Sequence, residues 1–456
     1  MKKMHELSRR EFLKRSSAGA LGASVPWTLS LAAVGEAAAA SSTDYKALVC
    51  VFLDGGNDQS NTLIPYDLTS YNSYAAIRQG LARPRDLLIP LESRVALPDA
   101  RQMALAPELA PLKPLFDEGS LGVLLNVGTL VVPATKSQVF AKTVPLPGSL
   151  FSHIDQQIAW QASSPQGAES GWGGRMTDLM LSGNGGSAFS CVSVTGNSVF
   201  LNGKMVAQCQ VTPDGALPLW ATRWPLYGSQ ACSRAVEQLI SANYTHVLEN
   251  AHSTVMRRSI ESNSLLGYAL QVPLTTAAGY PAGNPLAAQL QMVARLIAAR
   301  SMLGVRRQVF HVSLGGFDQH DGLASRHPAL LAQLGQALAA FQASLVDLGV
   351  DNDVTTFTAS DFGRTLTVNG DGSDHGWGSH HFVMGGSVSG QRFWGKLPAL
   401  AVDGPDDVGQ GRLLPTTSVD QLASELATWF GVSGSDMTTV LPYSGNFDLG
   451  RLGLFT

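Results

Sequence analysis

Cysteine is scarce in this chain, four in 456 residues, and no two are spaced Cys-x-x-Cys, which removes zinc-ribbon and thioredoxin-like chemistry. Neither His-Glu-x-x-His, Gly-x-Ser-x-Gly nor Gly-x-x-x-x-Gly-Lys-Ser/Thr occurs, so the common signatures of zinc peptidases, serine esterases and P-loop nucleotide hydrolases are missing. There is no internal repeat, no low-complexity tract and no long basic stripe. With a formal net charge of −4, nucleic acid is not an expected partner.

What is present is 45% hydrophobic residues over a length that can bury one large core without staples. The first 40 residues read apart from the rest. A basic start, a modest apolar middle and an Ala-rich end predict a signal peptide over 1–40. Its "SRREFLK", Ser8 to Lys14, is similar to the twin-arginine export signal. The implied partner is the twin-arginine translocase, and the implied location is periplasmic or secreted, with no membrane span after cleavage. An uncleaved anchor is the rival, since Ser16 to Ala40 is nearly long enough to span a bilayer, but Ala37 to Ala40 before the polar "SSTD" favour cleavage. All four cysteines lie beyond this segment. In an exported protein they permit disulfides, Cys209 with Cys232 first, whereas Cys50 reads as a small buried hydrophobe.

Residues 41–456 read as a single domain. "ALVCVFL" (47–53), "LGVLLNVG" (121–128), "QVFHVSLGG" and "VTTFTAS" are apolar runs of strand length, and "PLAAQLQMVARLIAARSMLG" and "PALLAQLGQALAAFQASLVDLG" carry helical periodicity. The order helix, strand, helix, strand with continuously apolar strands predicts an α/β fold, with a mostly parallel central sheet covered by helices on both faces. Residues 160–280, richer in Gly, Ser, Pro and Trp, are expected to form a cap or insertion. "TTSVDQLASELATWFGV" predicts a C-terminal helix with a capping box from Ser418 to Gln421.

Three of the strands run into carboxylates beside glycines: Asp54 in "VFLDGGNDQSNT", Asp318 in "SLGGFDQHDG" and Asp361 in "FTASDFGRT". In parallel α/β sheets ligands bind beyond the carboxyl ends of strands. Three acids gathered there repel one another in a poorly solvated cleft unless a cation or a shared proton offsets the charge. Four of the ten histidines follow the same strands: His320, His375, His380 and His381. Asp-x-His and Asp-His pairs, the latter Asp374 with His375, supply the oxygen and nitrogen donors that zinc or manganese takes. "SHIDQQ" adds His153 and Asp155, with two readings open: a helix cap at Ser152 or a place in the site. Arg364 is expected either to pair with Asp361 or to clamp an oxyanion. Trp172 and Trp377 are expected to pack.

"VFLDGGNDQSNTLIPY", "SHIDQQ", "GWGGRM", "VSLGGFDQH", "TASDFGRTLTVNGDGSDHGWGSHHFVMGG" and "ATWFGV", in that order, resemble the exported bacterial proteins grouped as domain of unknown function 1501, in the alkaline phosphatase and sulfatase superfamily. The resemblance implies an alkaline phosphatase-like fold and one or two divalent ions, zinc or manganese, bridged by a small oxyanion ester. It implies Asp318, His320 and His375 as ligands of one metal and Asp361 as a ligand of the second, whose usual histidine neighbour is replaced by Phe362. From the first junction it implies a ligand, Asp54 or else Asp58 or Asn61, and a nucleophile, for which Ser60 and Thr62 are the nearby hydroxyls. No cysteine precedes Pro by two and Arg by four positions, so formylglycine sulfatase chemistry is excluded. The expected activity is metal-dependent hydrolysis of a phosphate or sulfate ester. The alternative is a non-catalytic envelope binding or assembly protein with a degenerate site.

Overall fold

The computed structural model describes residues 45–455 apart from 165–167, 186–187, 217–223, 275, 277–278 and 451; the expected signal peptide lies outside the described residues. The strand "KALVCVFLD" shows how the sheet is built. Ala47, Val49, Val51 and Leu53 enter one apolar cluster, while Leu48, Cys50 and Phe52 enter a second on the opposite face. A strand apolar at every position is one that must be covered on both sides.

In chain order the strands are β1 (Lys46–Asp54), β2 (Leu63–Pro65), β3 (Ile89–Leu91), β4 (Met103–Leu105), β5 (Leu121–Gly128), β6 (Cys191–Ser193), β7 (Cys209–Thr212), β8 (Gly215–Ala216), β9 (Arg307–Gly315), β10 (Val354–Ser360), β11 (Ser379–Met384), β12 (Phe393–Trp394) and β13 (Thr417–Ser418). β2, β4 and β3 make a small sheet; the others form one large sheet ordered β12-β5-β11-β10-β1-β9-β6-β7-β8, with β13 also paired to β5. β10, β1, β9, β6 and β7 are parallel neighbours, and β11 runs against both β10 and β5.

The main helices are α1 (Leu68–Arg78), α2 (His153–Ala162), α3 (Trp172–Met180), α4 (Gln230–Ser241), α5 (Val247–Ala269), α6 (Pro285–Ala298), α7 (Leu323–Asp347) and α8 (Val419–Phe430). α6 starts where the Asn284 side chain accepts from the Ala287 N–H with Pro285 in the first turn, which needs no N–H there. Its Leu290, Val293 and Ile297, with Leu334, Leu338 and Phe341 of α7, fill the first cluster. Trp172 of α3 and Leu422, Leu426 and Phe430 of α8 fill the second, so both faces are covered. The capping box at Ser418 and Gln421 is formed as expected.

Within 160–280, expected as a cap or insertion, α3 joins the second apolar cluster and β6 pairs in parallel with β9, so the stretch supplies one edge of the main sheet. Short strands among glycines and serines concealed that role. One expectation is corrected. Cys209 and Cys232 are not joined: all four cysteines are free thiols.

Candidate metal centre

The carboxyl ends of β10, β1 and β9 lie side by side, which places Asp361, Asp54 and Asp318 at one edge of the parallel sheet. The glycines beside them serve the backbone rather than a ligand. Gly55 has φ +114°, and a Cβ on it would stand 2.3 Å from the amide nitrogen of Asp318. At Gly363 a Cβ would stand 2.1 Å from the carbonyl oxygen of Gly378. That closeness lets the loop after β10 double back on itself: Gly376 N–H donates to the Gly363 carbonyl at 2.7 Å and Gly363 N–H to that of Trp377 at 3.0 Å. His375 is thereby returned beside Arg364. α2 delivers His153 from the other side; it starts at that residue, and Ser152 makes no side-chain capping bond.

The imidazoles meet through their Nε2 atoms. His375 Nε2 lies 2.9 Å from His320 Nε2, 3.1 Å from His153 Nε2 and 3.2 Å from Asp318 Oδ1. His153 Nε2 is 3.4 Å from Asp318 Oδ2, and His320 Nε2 is 3.1 Å from Asp318 Oδ1. Each Nδ1 is engaged elsewhere: that of His375 donates to the Phe151 carbonyl at 2.7 Å, that of His153 to buried Asp361 at 2.6 Å, and that of His320 to Asp374 at 3.1 Å. With Nδ1 carrying the proton, Nε2 is the bare nitrogen, the tautomer a metal-binding histidine needs. One donor atom from each of His153, Asp318 and His375 lies within 4.8 Å of the others, and His320 Nε2 stands equally close to His375 and Asp318.

Asp361 hydrogen-bonds His153 and raises its pKa, while burial lowers that of His375. Burial works against ionisation of Asp318, but the hydrogen bond and charge of Arg364 outweigh it and hold the pKa low. Arg364 is fully buried and donates to Asp318 Oδ1 at 2.8 Å, to Gly55 O at 3.3 Å and to the Ser373 carbonyl. Its carboxylate partner is thus Asp318 rather than the expected Asp361, and its donors are committed inside the protein.

The remaining candidates separate into supports and bystanders. Asp361 and Asp374 hold the outer nitrogens of His153 and His320 and are not themselves in the group of donor atoms. Asp54, half-buried, accepts from Ser313; burial and, less, the charge of Asp361 raise its pKa to about 6. Asp58 forms a buried ion pair with Arg78 and accepts from the Ser60 N–H. Asn61 donates to Leu81 O and accepts from Tyr74, Thr62 donates to Asp58 O, and the Ser60 hydroxyl accepts from Gln59. The first junction therefore braces the loop after β1 instead of supplying Asp58, Asn61, Ser60 or Thr62 to the cluster. Asp155 lines a separate cavity of about 280 Å³. Phe362 packs its ring 4.9 Å from that of His153 and 4.7 Å from that of His375, and Trp172 and Trp377 are buried.

Two participants escaped the sequence. Gln157 donates to Asp361 at 3.1 Å; its spacing of four from His153 on one helix was an available signal. The Phe151 carbonyl was not legible, because a main-chain acceptor carries no residue signature. Phe151 adopts φ 72°, a left-handed conformation unusual for a bulky residue.

Fold and site together define an α/β protein with a histidine–carboxylate cluster at the carboxyl edge of its parallel strands. The chain belongs to the family described as "Protein of unknown function (DUF1501)", whose profile matches residues 45–441. Comparison with curated proteins gives no match. Among solved structures, "Crystal structure of Ps i-CgsB" is similar at 8% identity with a TM-score of 0.35, covering 89% of this chain and 77% of that one. A structure of the same protein in complex with k-i-k-neocarrahexaose gives 8% identity and a TM-score of 0.31, covering 87% and 74%.

Proposed function

We propose that this is an exported protein whose histidine–carboxylate cluster holds a divalent metal, zinc or manganese, and hydrolyses phosphate or sulfate esters. The observation that carries the reading is His375 Nε2. It has one lone pair to offer, yet two imidazole nitrogens stand 2.9 and 3.1 Å from it. A proton on His153 satisfies one contact and leaves the other with nitrogen facing nitrogen. A cation satisfies both and is anchored by Asp318. Tetrahedral zinc with Zn–N of ~2.0–2.1 Å sets its donors about 3.3 Å apart, close to the spacing of His153, His375 and Asp318.

His153, His375 and Asp318 would hold the ion with His320 as a further donor, and a divalent cation there would supply Lewis acidity toward an ester oxygen. Asp361, Asp374 and the Phe151 carbonyl fix the ring orientations, and Arg364 keeps Asp318 ionised. Ser60 and Thr62 are bound up in the loop after β1, so water is the nucleophile this arrangement favours. The twin-arginine motif supports export of the folded chain to the periplasm or beyond. The alkaline phosphatase-like fold and superfamily rest on the motif order and on the three acids at one sheet edge.

Phe362 and the engaged hydroxyls favour a second reading, a non-catalytic envelope protein with one structural ion. Metal content of the purified protein, followed by turnover of aryl phosphate and aryl sulfate with and without chelator, separates them. Bound metal with chelator-sensitive turnover supports hydrolysis, bound metal without turnover supports the second reading, and absence of metal refutes both.

A further inference from the structure

The helix that brings His153 to the metal cluster has a second working face. α2 turns His153 and Gln157 toward Asp361, whereas Asp155 and Ala159, one turn apart, and Ser163 just past its end line the separate cavity of about 280 Å³. Opposite walls come from Leu130 after β5, from Leu146, and from Val419 and Asp420 in the first turn of α8. The cavity thus shares a wall with the metal cluster without including any of its donor atoms.

Asp420 is the residue that asks for a ligand. An acid in the first turn of a helix is ordinarily a solvated complement to the helix dipole, but this one is only 2% exposed. Its Oδ1 accepts from the Ser163 hydroxyl at 2.6 Å, and among the described residues no lysine, arginine or histidine forms an ion pair with it. Arg175 is the cation whose field reaches it, yet that guanidinium is spent on main-chain oxygens: Nε donates to Val440 O at 2.9 Å, Nη1 to Ser170 O at 2.6 Å and Nη2 to Ala162 O. Burial raises the pKa of Asp420 to about 6, so at neutral pH the wall of the cavity carries a carboxylate whose charge nothing in contact offsets. Asp155 adds a second acid to the same lining.

Charge and size select the occupant. Two acids exclude an anion, and a neutral molecule would leave Asp420 uncompensated. A single inorganic ion would leave most of the space empty and Leu130, Leu146 and Val419 without a carbon surface to cover them. Benzene occupies a cavity of about 150 Å³, so this one suits a molecule of about ten non-hydrogen atoms. We propose that the cavity between α2 and α8 binds a small organic amine, its ammonium group against Asp420 and Asp155 and its carbon body against the apolar walls. Such a ligand places the missing positive charge where the buried carboxylate stands and uses the apolar lining as well.

The test is calorimetry on the full exported chain with 2-phenylethylamine, cyclohexylamine and isopentylamine, each against the alcohol of the same shape. At least one amine should bind at least about tenfold more tightly than its alcohol, the worth of one hydrogen bond to a charged group, and Asp420→Asn should remove that preference. Ala159→Leu fills the cavity from α2 without touching Asp420 and should weaken the amine by at least as much, so the outcome does not hang on the folding of one variant. His153→Ala should bind the amine as the wild type does, because the metal cluster takes no part. The proposal is overturned if no amine is preferred over its alcohol, or if the preference survives in either folded cavity variant. It is overturned equally by binding that is lost in His153→Ala and kept in Asp420→Asn, which would put the amine on the metal.

Discussion

The single lone pair of His375 Nε2 faces two imidazole nitrogens and one carboxylate oxygen, and most consequences at the residue scale follow from that crowding. Removing His153 deletes one of the three clustered donors His153, Asp318 and His375, so His153→Ala should abolish stoichiometric metal binding. Asp361 acts one step out. Asp361→Asn keeps the shape but weakens the acceptor that orients His153, and metal affinity should fall about 10- to 100-fold, as for other carboxylates behind metal-bound histidines, measured by competition with a chromophoric chelator. Asp58 is the useful contrast. Its partner is buried Arg78, so Asp58→Asn leaves a guanidinium without counter-charge and should cost about 3–5 kcal/mol in denaturant unfolding. Metal affinity in Asp58→Asn should stay at the wild-type value, whereas a large loss of affinity without loss of stability would return Asp58 to the ligand set.

At the scale of elements, the site depends on loops whose backbones touch. Gly55→Ala combines a left-handed φ with a Cβ 2.3 Å from a main-chain nitrogen, so it should destabilise the protein by about 2 kcal/mol or more and loosen the metal with it. Unfolding midpoints and metal content measured together check this; a variant as stable as wild type would show that the loops after β1 and β9 are not packed as described. These elements also show what the sequence could reveal. β1, β9, β10, α6 and α7 were legible because apolar runs and helical stripes are local, and Asp318, His320 and His375 were legible because they sit in short motifs at strand ends. The role of β6 was hidden because a three-residue strand among glycines has no period to read. Arg364's choice of Asp318 over nearer Asp361, and Asp58's choice of Arg78, depend on contacts between distant segments that no local pattern encodes.

For the whole molecule, burial of histidine sets the acid response. Burial depresses the pKa values of His311, His327 and His380 to about 4 and that of His381 to about 3. These rings are neutral in the folded protein and take up protons on unfolding below about pH 6.5, so their contribution is fully present above that pH and is lost toward pH 4. Each removes up to about 1.4 kcal/mol per pH unit across the window. Asp54 and Asp420, raised to about 6 mainly by burial, act with the opposite sign between about pH 6 and 4. Four histidines against two acids predict a net fall in stability from pH 6.5 to 4 in chelator-treated protein, seen as a declining unfolding midpoint. A midpoint that is flat or rises over that range would mean that the histidines are hydrated in the native state.

Metal stoichiometry tests the central claim most directly. Purified wild-type protein, exchanged into chelator-free buffer and measured by mass spectrometry of the elements, should contain about one zinc or manganese per chain. His153→Ala should contain none, and Asp58→Asn should match the wild type. Equal metal in the wild type and His153→Ala, or none in either after reconstitution with zinc and manganese, would contradict the account of His153, Asp318 and His375 as a metal centre.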